Sequence, residues 1–245
     1  MFWFDIYSKK TDNRFTERRF TMTRSTLLLN LLARLFGGIL MFALLFFLPA
    51  GTWFYWQGWL YIAVLILPMF FVMIYFLKHD PALLERRTHM REERKKQRGI
   101  ILLFGLSFII AFLFPGFDIR YGWSIMPAWV SILAAMVMFF SYMLVFRTMQ
   151  VNSYLSRVVE VAQGQKVIDT DVYGIVRHPM YVGVVVLFLV SPIVLGSWWA
   201  IIPALPVIPL IAARIKDEEI ALEQDLPGYK EYKQKVKFRL IPLVW

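Results

Sequence analysis

Residues 173–213 read YGIVRHPMYVGVVVLFLVSPIVLGSWWAIIPALPVIPLIAA. A polar turn at 177–179 comes before two apolar runs, 181–195 and 198–213, and a Gly-Ser pair separates the runs. Pro179 suits the first position of a helix, where its missing N–H is not needed. Because each run is short for a full membrane span, we expect a tilted helical hairpin that enters and leaves the bilayer on one side.

The composition is that of a membrane protein. The 245 residues are 59% hydrophobic, with a mean hydropathy of +0.57, which is more apolar than an ordinary soluble domain. The formal net charge is +10, but Lys and Arg occur in short runs beside apolar segments, so we expect membrane orientation and no nucleic-acid partner. The absence of cysteine excludes disulfides and thiolate chemistry. The three histidines lack the spacing of metal ligands, so we expect no metal.

Four apolar segments upstream are predicted to form membrane helices, and the first is long enough to cross a hydrocarbon core of about 30 Å. We predict helices at about 27–48, 58–77, 99–114 and 124–145. Turns are expected at Pro49-Ala50-Gly51 and at Pro115-Gly116. An aromatic cluster after the first helix is typical of a membrane interface: Trp53, Tyr55, Trp56, Trp59 and Tyr61. The sequence thus predicts an all-α, polytopic membrane bundle with about five to six embedded helices, followed by C-terminal cytoplasmic helices.

Positive charge marks one side of the predicted bundle. Lys and Arg are frequent in residues 1–24, in 78–98 and after Arg147, and they are rare in the other turns. The positive-inside rule therefore places both termini and the C-terminal region in the cytoplasm. The apolar run after the basic arm has no small-residue cleavage site, so we interpret it as an anchor and not as a removed signal peptide. Segment 78–98 is interpreted as a solvated connection that contacts anionic lipid, with a gating role as the alternative.

Charged side chains cluster where the predicted hairpin meets water. Arg177 and His178 precede a helix N-terminus, which favours anionic or hydrogen-bonding ligands. An interfacial Arg-His pair that contacts headgroups is the alternative. Arg214 and Glu218 are four residues apart and share one helix face. They form either an ordinary intrahelical salt bridge or two opposite charges for a ligand that carries both.

The C-terminal tail contains a second aromatic group. A turn signal, Pro227-Gly228, precedes a predicted helix with Tyr229 and Tyr232 on one side. Aromatic residues beside a membrane are normally interface residues. The same two rings are equally suited to walling an adenine or sugar pocket.

Three segments carry a resemblance to a known family: GQKVIDTDVYGIVRHPMYVG (164–183), RIKDEEIALEQDLPGYKEYKQKVKFRLIPLVW (214–245) and DPALLERR (80–87). The first, which has the R-H-P-x-Y pattern, and the second together resemble the isoprenylcysteine carboxyl methyltransferase family and its bacterial and archaeal relatives. The third is also similar to these relatives. The close match covers about the last third of the chain. The glycine that the family usually has two residues before Tyr173 is Asp171 here.

The resemblance implies a small helical membrane enzyme that uses S-adenosylmethionine without a Rossmann domain. Consistently, the sequence has no GxGxxG motif. The residues that would line the cofactor are Gln165, Lys166, Val167, Ile168, Tyr173, His178, Pro179, Met180 and Tyr181. The predicted catalytic residues are Glu218, which would hold the amino group of the cofactor, and Arg214, which would bind the carboxylate of a lipidic or prenylated acceptor that enters from the bilayer.

On this interpretation the chain is a single membrane domain of 245 residues. Residues 1–24 form a cytoplasmic arm, residues 25–149 form four transmembrane helices, and residues 150–245 form a cofactor-binding catalytic region with the hairpin and a C-terminal helix. Surrounding membrane lipids are expected partners along the apolar helices.

Several activities share these features. Carboxyl methylation of an isoprenylcysteine-like acceptor joins a sulfonium cation to a carboxylate anion, so charge is lost on the way to the transition state. A dry pocket favours such a step, and no general base is needed. A phospholipid or small-molecule N- or S-methyltransferase needs a base for the acceptor proton, with Glu219 or Tyr181 as candidates. A sterol-type reductase that binds NADPH also resembles this family in its C-terminal half, but such enzymes are longer. A non-catalytic membrane scaffold is a further alternative. It is disfavoured because charged residues beside a bilayer interior are usually functional.

Overall fold

The computed structural model of the protein describes residues 22–88, 95–156, 161–162 and 164–245. These residues form nine α-helices and a short 3₁₀ turn, with no strand among them, which confirms the predicted all-α class. The elements are α1 (Arg24–Ala50), α2 (Trp56–His79), α3 (Pro81–Thr88), α4 (Lys95–Tyr121), α5 (Ala128–Val151), the 3₁₀ turn (Asp171–Gly174), α6 (Pro179–Val194), α7 (Ile201–Ala204), α8 (Val207–Asp225) and α9 (Tyr229–Lys235). The predicted arm lies outside the described residues, apart from residues 22–24.

Four of the described helices are long and apolar enough to cross a membrane. They are α1, α2, the segment Gly99–Tyr121 of α4, and α5. The 24 residues of α5 extend about 36 Å at about 1.5 Å per residue, which exceeds a hydrocarbon core of about 30 Å. With 16 residues, α6 is shorter than a full span. The protein is an integral membrane protein, as its composition predicts.

The C-terminal hairpin is formed by α6, α7 and α8. The chain turns after α6 at Gly196, which has a left-handed backbone (φ 77°). α8 then packs back into the bundle, with Val207, Ile211 and Ile215 buried. Because α8 continues beyond this apolar part to Asp225, its charged second half reaches the end of the bundle where α6 begins.

Two glycines allow membrane helices to approach each other closely. Gly183 of α6 faces α5, where an added Cβ would lie 2.8 Å from the carbonyl oxygen of Ser141. Gly116 of α4 faces α1, where an added Cβ would lie 2.7 Å from the carbonyl oxygen of Phe46. No larger side chain fits at either position without a shift of the backbone. The close contact of α5 with α6 fixes where the polar turn 177–179 lies.

The predicted turn at Pro115-Gly116 is wrong. α4 runs through both residues to Tyr121, and the chain turns at Gly122 (φ 66°). A Pro-Gly pair is normally a turn signal. Here the glycine provides room for α1, and the proline lies inside a membrane helix, where proline is tolerated.

The aromatic residues after α1 divide into two groups. The predicted turn at 49–51 begins only at Gly51 (φ 66°), because α1 includes Pro49 and ends at Ala50. The tryptophans are exposed, as interface residues should be: Trp53, Trp56 and Trp59. Tyr55 is only 2% exposed and Tyr61 only 1%, so both tyrosine rings pack inside the protein and do not face the lipid. The reason is long-range packing, since the Tyr55 hydroxyl donates to the carbonyl oxygen of Leu195 across the bundle.

Candidate active site

A pocket opens where α6 begins. We name this end of the bundle the pocket end, and the end with the α1–α2, α4–α5 and α6–α7 turns the opposite end. The pocket contains about 890 Å³ of empty space, including its open mouth. Its walls come from the chain after α5, the polar turn 177–179, the first turn of α6, and the facing sides of α8 and α9.

Each residue predicted to contact the cofactor or the acceptor lies in the wall of this pocket. The structure brings together Gln165, Lys166, Val167, Ile168, Tyr173, His178, Pro179, Met180, Tyr181, Arg214 and Glu218. Further wall residues that sequence reasoning missed are Asn152, Tyr154, Leu155, Ser156 and Val161. They follow α5 in a polar stretch whose pattern does not distinguish them from an ordinary loop.

The polar turn is held by the C-terminal segment of the chain. The backbone N–H of Arg177 donates to the carbonyl oxygen of Phe238 at 2.9 Å, and that of His178 donates to Arg239 at 3.0 Å. Pro179 then begins α6, as its missing N–H predicts. These two backbone hydrogen bonds tie the turn to a segment about sixty residues away in sequence.

A buried carboxylate connects this turn to α8. Glu219 is 2% exposed and accepts hydrogen bonds from the Nε atoms of Arg177 at 2.8 Å and Arg239 at 2.9 Å. His178 Nε2 lies 3.3 Å from Glu219 Oε1. Burial raises the pKa of Glu219, but hydrogen bonds from His178, Arg177 and Arg239 outweigh it and lower the pKa to about 2. A carboxylate with so low a pKa is a weak base, so Glu219 is better suited to holding the turn than to removing a proton.

Next to Glu219, one tyrosine hydroxyl links the two charged residues predicted to be catalytic. Arg214 Nε donates to the Tyr181 hydroxyl at 2.8 Å, and that hydroxyl donates to Glu218 Oε2 at 2.6 Å. The three side chains form an Arg–Tyr–Glu chain in the pocket wall. Tyr181 therefore fixes the separation of the cation and the anion, a role that helical spacing alone does not reveal.

Three tyrosines form an aromatic wall. The Tyr232 hydroxyl donates to the carbonyl oxygen of Tyr173 at 2.8 Å, and the Tyr173 hydroxyl accepts from Asn152 Nδ2 at 3.0 Å. Among the residues that the structure describes, none offers a hydrogen-bond partner to the buried hydroxyl of Tyr229. Buried hydroxyls in proteins are normally paired. Of the two predictions for Tyr229 and Tyr232, the observed arrangement fits the pocket wall.

Asp171 has the backbone conformation that glycine favours. Its φ is 55°, in the left-handed region. The side chain offsets part of this strain, because Asp171 Oδ1 accepts from the N–H of Val172 at 2.8 Å and the carboxylate forms an ion pair with Arg147. The departure from the family's usual glycine therefore preserves the turn that leads into the pocket.

The helices and the pocket define a polytopic membrane protein with a charged, aromatic-walled site at one end. Residues 132–224 match the model of the isoprenylcysteine carboxyl methyltransferase family. This match confirms the resemblance to that family that the motifs carry. The prediction that the protein is a membrane methyltransferase is confirmed with it, and such an enzyme implies a methyl-donor cofactor.

Among solved structures, the chain is similar to the eukaryotic intramembrane Ras methyltransferase, an isoprenylcysteine carboxyl methyltransferase. The two are 17% identical, the alignment covers 77% of this chain and 74% of the other, and the TM-score is 0.46. No curated protein matches the chain by sequence.

Proposed function

We propose that the protein transfers a methyl group from S-adenosylmethionine to the carboxylate of a lipid-bearing, isoprenylcysteine-like acceptor. The observation that carries this proposal is the Arg214–Tyr181–Glu218 chain, which presents a cation and an anion in one pocket. The family matched by residues 132–224 is named for methylation of isoprenylcysteine carboxyl groups.

The pocket residues fit S-adenosylmethionine. The Glu218 carboxylate would bind the ammonium group of its amino-acid part. The Tyr229 hydroxyl is a buried polar group available to a ligand, and Tyr173 and Tyr232 offer aromatic surface for the adenine ring. Residues 165–168 would line the ligand along the adjacent wall. When bound, S-adenosylmethionine would supply a methyl group on a positively charged sulfur.

Arg214 would hold the acceptor. Its planar guanidinium matches the geometry of a carboxylate, and the Tyr181 hydroxyl limits its movement. A carboxylate acceptor has no proton to lose, so the wall needs no general base. The protein would align the donor with the acceptor, which can lower the activation barrier by about 7–11 kcal/mol. It would also exclude water from the two opposite charges.

We also propose the orientation of the site. Basic residues cluster at the pocket end, where α2 ends in Lys78 and His79 and α3 ends in Arg86 and Arg87. The positive-inside rule places such an end in the cytoplasm. Both termini and the pocket would then be cytoplasmic, residues 150–245 would be the catalytic region of a single domain, and the lipid part of the acceptor would reach the pocket from the bilayer.

Calorimetric binding of S-adenosylmethionine to the detergent-purified protein tests the donor site. We expect binding to wild type and a loss of at least about tenfold in affinity for Glu218→Ala, because a hydrogen bond to a charged group is removed. Glu223→Ala is the matched control, since Glu223 lies on the same helix but pairs with Lys233 outside the pocket. The control should bind like wild type.

Three results would contradict the donor assignment. The first is binding of NADPH without binding of S-adenosylmethionine, and the second is binding of neither compound. The third is an equal loss of affinity in Glu218→Ala and Glu223→Ala. The first result would favour a reductase and the second a scaffold. The acceptor is tested separately by the product of methyl transfer, because a phospholipid or small-molecule N- or S-methyltransferase would keep the donor site unchanged.

A further inference from the structure

Tyr229 is a buried residue of the pocket wall whose hydroxyl the protein does not use. The residue is 4% exposed and lines the pocket. Within the described part of the chain, no group forms a hydrogen bond with its buried hydroxyl. A polar group in this state is costly, because it has lost its hydrogen bonds to water and gained none in exchange. The pocket wall thus holds a hydrogen-bonding group that a ligand can satisfy.

The other tyrosine of α9 differs in this respect. The rings of Tyr229 and Tyr232 contact each other, with centroids 5.7 Å apart, and both residues line the pocket. The Tyr232 hydroxyl, however, donates to the carbonyl oxygen of Tyr173 at 2.8 Å. Two tyrosines in one environment therefore have hydroxyls of different kinds. That of Tyr232 holds the wall together, whereas that of Tyr229 makes no such bond to the residues that the structure describes.

The packing of Tyr229 places it on the side of the pocket proposed for the nucleoside. Tyr229 and Tyr232 belong to one apolar cluster, and Val167 packs against that cluster. All three residues line the pocket. Glu218, which would bind the ammonium group, accepts instead from the Tyr181 hydroxyl on α6. A ligand that contacts both groups would have its amino-acid part at Glu218 and its nucleoside at the aromatic cluster.

We propose that Tyr229 is a donor-binding residue whose hydroxyl forms a hydrogen bond with the nucleoside part of S-adenosylmethionine. The inference rests on the proposed function, because it presumes that methyl donor. A tyrosine hydroxyl both donates and accepts, and adenosine has donors and acceptors on its base and its ribose. The same hydroxyl lowers the stability of the ligand-free protein, since it stays unsatisfied until the ligand binds. Tyrosine at this position therefore favours binding at the expense of stability.

Calorimetric binding of two related compounds to the full chain in detergent tests the contact. S-adenosylmethionine carries the nucleoside and an amino-acid part, and methylthioadenosine carries the same nucleoside without the amino-acid part. Tyr229→Phe should lose about fivefold in affinity for both compounds, because one hydrogen bond to their shared part is removed. Glu218→Ala should lose affinity for S-adenosylmethionine only. Glu223→Ala should bind both compounds like wild type.

Thermal unfolding of the ligand-free protein separates this role from a structural one. Tyr229→Phe removes an unsatisfied hydroxyl and keeps the ring, so its melting temperature should equal that of wild type or exceed it by up to about 4 °C. Tyr232→Phe removes the hydrogen bond to the Tyr173 carbonyl oxygen, and its melting temperature should be about 2–4 °C lower. The two substitutions are chemically identical and should have opposite effects.

The possible failures are distinguishable. A Tyr229→Phe variant that binds both compounds like wild type would overturn the contact and leave the proposed function intact. A loss restricted to S-adenosylmethionine would overturn the assignment to the nucleoside. A melting temperature of Tyr229→Phe below that of wild type would overturn the proposal as well, because the hydroxyl would then have a partner within the protein. Wild type that does not bind S-adenosylmethionine would overturn the proposed function, and this inference with it.

Discussion

The buried carboxylates of Glu219 and Asp118, which lie at different ends of the bundle, receive their hydrogen bonds in different ways. Glu219 at the pocket end is 2% exposed and contacts two arginines and a histidine. Asp118 at the opposite end is 0% exposed. Within the described part of the chain, the donors that reach Asp118 are neutral: the N–H and hydroxyl of Ser124, each at 2.6 Å, and the hydroxyl of Ser197.

We propose that this difference reflects a binding role for the Glu219 cluster and a structural role for Asp118. Asp118 connects the α4–α5 turn to the α6–α7 turn through two serines, and neutral donors are enough for that. Glu219 holds cations that also fix the polar turn and the C-terminal segment beside the pocket. A site for charged ligands needs a preorganised electrostatic environment. We infer that the charge at the pocket end serves binding, while the opposite end serves only stability.

The largest effect should come from Glu219→Gln. Replacement of the carboxylate leaves Arg177 and Arg239 without their buried anion, so we expect a loss of about 3–5 kcal/mol in the free energy of unfolding. Chemical denaturation in detergent measures it. Glu223→Gln removes the half-exposed pair with Lys233 and should cost less than about 1 kcal/mol. Equal losses in the two variants would mean that the Glu219 cluster is no more important than a surface pair.

Acid should weaken the pocket end through the same residue. The folded-state pKa of Glu219 is lowered to about 2 from its ordinary value of 4.5, so its contribution to stability is present above about pH 4.5 and is lost as the pH falls towards 2. The stability of wild type should therefore decrease over this interval more steeply than that of Glu219→Gln. Parallel pH profiles for the two proteins would contradict the assigned pKa.

Asp118→Asn should have a smaller effect, confined to stability. An amide cannot accept all the hydrogen bonds that the carboxylate accepts from Ser124 and Ser197, and we expect a loss of about 1–3 kcal/mol. Affinity for S-adenosylmethionine should stay within about twofold of wild type, because the site lies at the other end of the bundle. A variant that folds but has lost the ligand would show that the two ends are coupled.

The smallest effect should come from Asp171→Gly. Glycine relieves a left-handed backbone that costs other residues about 1–2 kcal/mol, but it removes the exposed ion pair with Arg147 and the hydrogen bond from the N–H of Val172, which offset part of that strain. The two changes nearly cancel, so the free energy of unfolding should shift by no more than about 1 kcal/mol. Asp171→Ala keeps the strain and loses the pair, and it should be less stable than Asp171→Gly.

The sequence was informative wherever a local pattern determines the structure. The lengths of the apolar segments predicted four membrane helices. For α2, the observed bounds Trp56–His79 lie within two residues of the predicted 58–77. The motif around Pro179 and the spacing of Arg214 and Glu218 selected residues that meet in one pocket. These features depend on residues that are close in sequence, so they can be predicted from the sequence alone.

Long-range contacts were not predictable in this way. Gly116 resembles a turn residue, and only the proximity of α1 shows that it is a packing position. Glu219 looks like one more charge on a helix surface until the C-terminal segment brings Arg239 to it. The hydroxyl of Tyr181 between Arg214 and Glu218 likewise requires α6 and α8 to pack side by side.

Transfer of a labelled methyl group from S-adenosylmethionine to an N-acetylated prenylcysteine tests the central claim most directly. Purified wild type should form a product that releases its label in mild alkali, since a carboxyl methyl ester is hydrolysed there and an N-methyl or S-methyl group is not. Arg214→Ala should lower the rate at least about tenfold, while Glu223→Ala should match wild type. An alkali-stable product, or an Arg214→Ala variant as active as wild type, would contradict carboxyl methylation guided by Arg214.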